Sequence, residues 1–287
     1  MTDQTLICGS KTIDLAKPPV IMGILNVTPD SFSDVGRSLQ LDIAVEYALD
    51  MVRSGAAIID VGGESTRPGS QPVPPDEQIK RTVPVIEKIL KETDIPISID
   101  TTNSTVAEAA IDAGAVIIND ISALRNDPQM ADLAARQHAA VILMHMQGNP
   151  AAMQKKPTYT NVLKEVIAFL AKRIKFALDA GISPNSLVID PGIGFGKTVD
   201  HNLMLIREIS QFHHLKTPLM VGLSKKSFIG KILDLDQPAD RLIGSIAAHA
   251  WCIAGNVHIL RVHDVAETIQ AAKIIRAIGA AQWKGTK

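Results

Sequence analysis

Short aliphatic and β-branched runs recur along the chain at fairly regular intervals: Val20–Leu25, Ala57–Val61, Ile95–Ile99, Val116–Ile118, Ala140–Met144, Leu187–Ile189, Leu219–Leu223 and Val257–Leu260. They are apolar on both faces instead of alternating, as parallel strands covered by helices require. Between the runs the period lengthens. Leu41, Ala44, Val45, Ala48, Leu49 and Val52 share one helical face, as do Ile79, Val83, Ile86 and Leu90. Asp76 stands where an N-cap would, and Pro84 predicts a kink. Thr105–Ala113, Pro128–Gln137, Val162–Ala180, His201–Phe212, Ala239–Ala254 and Asp264–Ile278 continue the helical pattern. Gly55-Ala-Ala-Ile-Ile-Asp60 and Gly114-Ala-Val-Ile-Ile-Asn119 repeat one phrase, with Gly181 to Asp190 a looser copy. In each, glycine follows a helix as a left-handed cap and a polar residue ends the next strand. Eight such units predict a (β/α)8 TIM barrel, one domain over residues 1–287. Ahead of it, Cys8-Gly-Ser-Lys11 predicts a short N-terminal β-hairpin plugging the barrel bottom. Two long loops rich in Gly, Pro and Ser, Val27–Gln40 and Gly62–Pro75, should overhang the active face.

In such a barrel the chemistry sits where strands end. The residues found there are Asn26, Asp60, Asp100, Asn119 with Asp120, His145, Asp190, Ser224 with Lys226, and Arg261 with His263. Any one of them is ordinary as a turn or helix cap. All eight strands ending in a polar group is a different matter, because burying so many without a ligand is costly. Acids and amides end the early and middle strands, whereas Lys226, Arg261 and His263 gather at the last two. Arg261 and His263 are two apart on an extended segment, so they point the same way and can clamp one anion. Asp100, Asn119 and Asp190 should lie inside the mouth. An ionised carboxylate only accepts hydrogen bonds, so it suits a flat heterocycle with two parallel donors, the edge a pterin presents, while an asparagine matches a mixed edge. Met144 and Phe195 fit either the core or the two faces of such a ring.

Gly196-Lys197-Thr198 resembles the end of a phosphate-binding P-loop, but the required first glycine falls at Pro191 and the barrel context is wrong. The glycines of Pro191–Gly196 instead allow the backbone close to a flat ligand beside Asp190. His138, His201, His213, His214, His249 and His258 show no partner spacing and read as surface or core. A net charge of −1 and 3% aromatics give neither a basic face nor stacking platforms, which argues against nucleic acid. Cys8 and Cys252 lack metal or redox spacing. With no basic apolar leader and no stretch long enough to span a bilayer, the expectation is a cytoplasmic protein off the membrane.

Met22-Gly-Ile-Leu-Asn-Val-Thr-Pro-Asp-Ser-Phe-Ser-Asp34 and Gly55-Ala-Ala-Ile-Ile-Asp-Val-Gly-Gly-Glu-Ser-Thr-Arg-Pro68 closely resemble the two signatures of the dihydropteroate synthases. Ile97–Thr101, Ile117–Asp120, Asp190–Gly196, Val221–Ser227 and Leu260–Asp264 agree as well, so the resemblance spans the chain. Lys225 departs from it, standing where the family usually has arginine. The resemblance implies a transferase of folate biosynthesis and of the sulfonamide-target class. Such an enzyme joins 6-hydroxymethyl-7,8-dihydropterin pyrophosphate to p-aminobenzoate, giving 7,8-dihydropteroate and pyrophosphate. It places Asp100, Asn119, Asp190 and Lys226 on the pterin. It also places Asn26, Arg261 and His263 on pyrophosphate and Mg2+, with Asn26 the metal ligand. Phe32, Ser65, Thr66, Arg67 and Pro68 would shape the p-aminobenzoate pocket with Lys226, Thr66 also reaching the pyrophosphate. The implied path is SN1-like: pyrophosphate leaves, and the arylamine attacks a pterin methylene cation that Asp34 helps stabilise. Relatives of this kind are usually homodimers. The competing readings are a pterin-dependent methyltransferase, a non-catalytic pterin-binding paralogue, and an aldolase using Lys226 as a Schiff base. The first needs neither the Thr28-Pro-Asp-Ser-Phe32 loop nor an anion clamp.

Overall fold

The computed structural model describes residues 5–17, 19–28, 37–65, 71–148, 153 and 157–281. Eight parallel strands form one sheet: β3 (Val20–Asn26), β4 (Ile58–Gly62), β5 (Ile97–Asp100), β6 (Ile117–Asp120), β7 (Ala140–Met144), β8 (Leu187–Asp190), β9 (Met220–Val221) and β10 (Ile259–Val262). Their spatial order is β8-β7-β6-β5-β4-β3-β10-β9, and the parallel bridge Ile189↔Leu219 joins the two ends into a TIM barrel. Each expected run is therefore a strand, displaced by two residues at most at its start. The seventh is trimmed to Met220–Val221.

Helices α1 (Arg37–Arg53), α2 (Pro75–Glu92), α3 (Ser104–Asp112), α4 (Met130–Arg136), α5 (Val162–Asp179) and α6 (Val199–Arg207) follow the first six barrel strands. The last two strands lead into α7 (Ser227–Leu233) with α8 (Leu242–Ala254), and into α9 (Val265–Ala280). Of the face expected for α2 only Ile86 is buried, with Ile79 and Leu90 half-buried against the main core; the buried apolar stripe lies to one side, on Val85, Ile86 and Ile89. Each such side chain contributes about 1.5–3 kcal/mol by leaving water. Two further details differ from expectation. The helix starts at Pro75 with Pro74 at the cap, so Asp76 lies in the first turn, favouring the positive helix end instead of capping it. It also continues through Pro84 to Glu92. The short α7 went unforeseen because Ser227–Leu233 follows Lys225 and Lys226 directly, leaving too few residues to show a period. The glycines expected after helices behave as caps, with φ of +104° at Gly55, +106° at Gly114 and +91° at Gly181.

One parity runs through the barrel. Met22, Ile58, Ile117, Ala140, Ile142, Val188, Met220 and Ile259 face inward at the bottom and pack on Leu6, Cys8, Ile13 and Leu15. Most of the latter belong to the antiparallel hairpin of β1 (Thr5–Cys8) and β2 (Lys11–Asp14), which is the expected plug. Residues of opposite parity, such as Ile59, Ile97, Ile99, Val141 and Leu143, pack outward with the helices. Both cysteines are buried thiols. No helix among the described residues is long and apolar enough to cross a membrane.

Candidate active site

Counting by twos up the strands from the apolar plug reaches the polar groups. Met22 leads to Asn26, Ile58 to Asp60, Ser98 to Asp100, Ile117 to Asn119, Val188 to Asp190 and Ile259 to Arg261 and then His263. The register sets Asp100 beside Asn119 and Met144 beside Asp190 on neighbouring strands. The sheet thus aims these side chains into one mouth. Asp120, one step off parity, does not join them. It is fully buried and accepts from the Ser122 and Leu124 amides, which holds its own turn. His145 is also outside the mouth, its ring edge-on to Phe169 with centroids 4.8 Å apart.

A charged network crosses the mouth. Arg261 donates from Nε to Asp60 Oδ2 at 2.6 Å and from Nη2 to Asp100 Oδ2 at 2.7 Å, while Asn119 Nδ2 donates to Asp60 Oδ2 at 3.0 Å. Two carboxylates lift the Arg261 pKa despite burial. Asp100 moves the other way from a paired acid, up to about 7. Burial is the largest cause, with Asp60 adding to it, and together they outweigh the attraction of Arg261 and Lys226. Its Oδ1, like Asp60 Oδ1 and Ser98 Oγ, is buried with no hydrogen-bond partner among the described residues. Burial also raises Asp190, against the pull of the Gly192 amide, which its Oδ1 accepts at 2.7 Å, and of Lys226.

After β8 the chain runs back over the mouth through Pro191–Lys197. Gly192 has φ +66°, and a Cβ there would stand 1.9 Å from His145 O, so only glycine fits. Phe195, carried by this loop, joins Met144, Met146, Met153 and Ile121 in a small apolar cluster. Its ring lies 4.0 Å from Lys226 Nζ, a cation–π contact. Just past the last strand His263 Nδ1 meets Ser224 Oγ at 3.0 Å. The adjoining Lys225 is turned elsewhere, its ammonium 2.8 Å from Asp264.

Of the expected site residues, Asp100, Asn119, Asp190, Arg261, Lys226, Met144 and Phe195 meet around this mouth, with Asn26 and His263 at strand ends on its rim. Ser65 is half-buried after β4. Phe32, Asp34, Thr66, Arg67 and Pro68 lie outside the described residues. The sequence reading left two groups without a role. Asp60 is the hub of the network, a place that inward parity alone would have given it. Lys197 is buried behind the loop, and the one signal for it was a lone charge ending a glycine run. Among the described residues no three His, Cys, Asp or Glu side chains gather as a metal site.

Residues 22–263 match the family model described as "Pterin binding enzyme". The dihydropteroate synthase of Synechocystis is 44% identical over 270 residues, covering 94% of this chain and 93% of that one. Among solved structures, Xanthomonas albilineans dihydropteroate synthase with 4-aminobenzoic acid superposes with a TM-score of 0.92 at 41% identity, covering 98% of this chain and all of that one. The Yersinia pestis dihydropteroate synthase in a sulfonamide complex gives 0.91 at 42%, over 96% of this chain and 100% of that one.

Proposed function

The chain belongs to the pterin-binding enzymes, among the dihydropteroate synthases, and from that premise we propose how its barrel mouth joins a dihydropterin pyrophosphate to p-aminobenzoate. Asp100, Asn119 and Asp190 take the polar edge of the pterin, and Met144 and Phe195 its faces. The observation that carries this is the orphaned acceptor of Asp100. Arg261 satisfies one carboxylate oxygen, and the other, buried without a donor among the described residues, calls for an N–H. Leaving such an atom unpaired costs about 1–3 kcal/mol, which a bound pterin recovers.

Lys226 joins these groups on the pterin, and Arg261 and His263, with Asn26 and Thr66, receive the pyrophosphate. The acceptor chemistry fits an Mg2+ ion arriving with that group, since Asn26 offers one neutral oxygen and the substrate and water supply the rest. When bound, the ion neutralises charge on the departing pyrophosphate. The C–O bond at the pterin methylene then breaks, its electron pair leaving with the pyrophosphate, before the weakly nucleophilic arylamine attacks the cation and releases one N–H proton. Asp34 steadies the cation, and Phe32, Ser65, Thr66, Arg67, Pro68 and Lys226 hold the p-aminobenzoate, where sulfonamides would compete. We place the protein in the cytoplasm and as a homodimer. Supporting the latter, Ile243 is 82% and Trp251 57% exposed on α8, and Ile274 and Ile278 are exposed on the neighbouring α9.

The test follows pyrophosphate and dihydropteroate from purified protein given dihydropterin pyrophosphate and Mg2+, with and without p-aminobenzoate. Equal amounts of both products, only when p-aminobenzoate is present, establish the reaction. Pterin binding without product rejects the synthase and leaves a methyltransferase or a silent paralogue.

A further inference from the structure

Lys197 closes the loop after β8 and is only 3% exposed. Its Nζ donates to Gly192 O at 2.8 Å and Phe195 O at 3.0 Å, meets His145 Nδ1 at 2.9 Å and lies 3.4 Å from His145 O. An ammonium has three donors and no acceptor, so the three short contacts use all of them. While Lys197 is charged, His145 offers it the Nδ1 lone pair and carries its own proton on Nε2. It is suited to that, because burial, with Lys197 and Arg125 nearby, holds its pKa down to about 2. Burial likewise lowers Lys197, to about 7. A lysine kept in such a place among neutral acceptors is expensive, and what it holds explains why it is there. The two carbonyls it gathers flank Gly194. A Cβ on Gly194 would stand 3.1 Å from Lys226 Cδ, so the lysine stem rests on that glycine, and the ring of the next residue, Phe195, lies under its ammonium.

We propose that Lys197 is a positioning residue for the ring-binding site: from behind the loop it fixes Gly194 and Phe195, and through them the aim of Lys226. The inference rests on the reading of that mouth as a pterin site. Other anchors keep the loop attached without it. Asn202 Oδ1 accepts from Gly194 N at 2.8 Å, Tyr159 Oη donates to Gly196 O at 2.8 Å, and Asp190 accepts from Gly192 N. Losing Lys197 should therefore loosen the Gly192–Phe195 stretch and leave the barrel folded.

The experiment measures binding of 6-hydroxymethylpterin by titration calorimetry, and steady-state kinetics, for the wild type, Lys197→Met, Lys226→Ala and the double variant. Methionine keeps the length and removes every donor. We expect Lys197→Met to weaken pterin binding about tenfold or more and to raise the KM for p-aminobenzoate by a smaller factor, since Lys226 also borders that pocket. In the Lys226→Ala background the same change should cost less, because its route through Lys226 is gone and only that through the Phe195 ring remains. Should the methionine variant fail to fold, Lys197→Gln, which retains two donors, replaces it in the cycle. A folded variant that binds pterin like the wild type, or an equal penalty in both backgrounds, overturns the inference. A wild type that binds no pterin instead overturns the reading of the mouth, and the inference with it.

Discussion

The two ends of this barrel are built on the same inward parity and differ in everything else. At the bottom that parity carries Met22, Ile58, Ile117, Ile142, Val188 and Ile259, closed by Leu6, Cys8 and Ile13 of the hairpin and by Leu15 after it. At the top it carries Asp60, Asp100, Asn119, Asp190 and Arg261, with three buried polar atoms unpaired among the described residues just where the apolar layer stops. Hydrocarbon packed on hydrocarbon stabilises without further conditions. Carboxylates packed together repel and lose hydration, and each unpaired oxygen costs about 1–3 kcal/mol. The fold thus concentrates its stability at one end and keeps an unfavourable, preorganised charge arrangement at the other, where a ligand can relieve it.

The sharpest way to break the comparison is to damage one end and ask whether the other notices. Lys226→Ala should reduce turnover about 10^3-fold, roughly 4 kcal/mol on the barrier, with little change in melting temperature. Lys225→Ala, which loses only the ion pair to Asp264, should cost less than about tenfold in the same assay. Equal losses would sink the assignment of Lys226. The reciprocal change is Ile142→Ala in the bottom cluster, where the side chain is 1% exposed. Denaturant unfolding should show a loss of about 2–5 kcal/mol, while kcat/KM of the folded fraction stays within about twofold. A large kinetic effect would mean that the two ends are mechanically coupled.

The top should also betray its strain through pH. Asp100 has a folded pKa of about 7 against 3.8 unfolded, so between these values the folded state holds the extra proton. Its contribution to stability is therefore fully present below about pH 4 and is lost as pH rises through about 7, at up to about 1.4 kcal/mol per pH unit. Chemical denaturation of the ligand-free protein at pH 5, 6 and 7 should reveal that decline, and Asp100→Asn should flatten it. An unchanged slope in the variant would mean that another group, Asp190 foremost, sets it.

The difference between the ends also decides what could be read without coordinates. Strand and helix positions were legible because eight apolar runs and a 3.6-residue period are local signals, and so was the plug, announced by Gly9 in a short turn. The polar strand ends were legible as a list, but membership of the mouth depends on parity. Asp120 follows Asn119 directly and faces away, whereas Asp60 faces in. Partnership was not legible at all. Nothing in the chain pairs Arg261 with Asp60 across 201 positions, and nothing sends Lys197 to His145. The helix α7 shows the opposite failure, a local element too short to leave a pattern.

The smallest expected effect tests whether the bottom is as tolerant as its packing implies. Gly9 joins β1 to β2 with φ +54°, and a Cβ added there would meet nothing closer than Val116 Cγ1 at 3.8 Å. Gly9→Ala therefore pays only for the left-handed backbone, about 1–2 kcal/mol, since the contact itself is ordinary. The residue still donates its amide to His138 O, a bond alanine keeps. Gly192 at the top has nearly the same φ, +66°, but its Cβ would lie 1.9 Å from a carbonyl oxygen, so the same substitution there must displace the loop. Measured side by side, Gly9→Ala should lower the unfolding free energy by that modest amount and leave pterin binding untouched. If it abolished folding instead, the hairpin would be a required nucleus of the barrel and not a plug added to it.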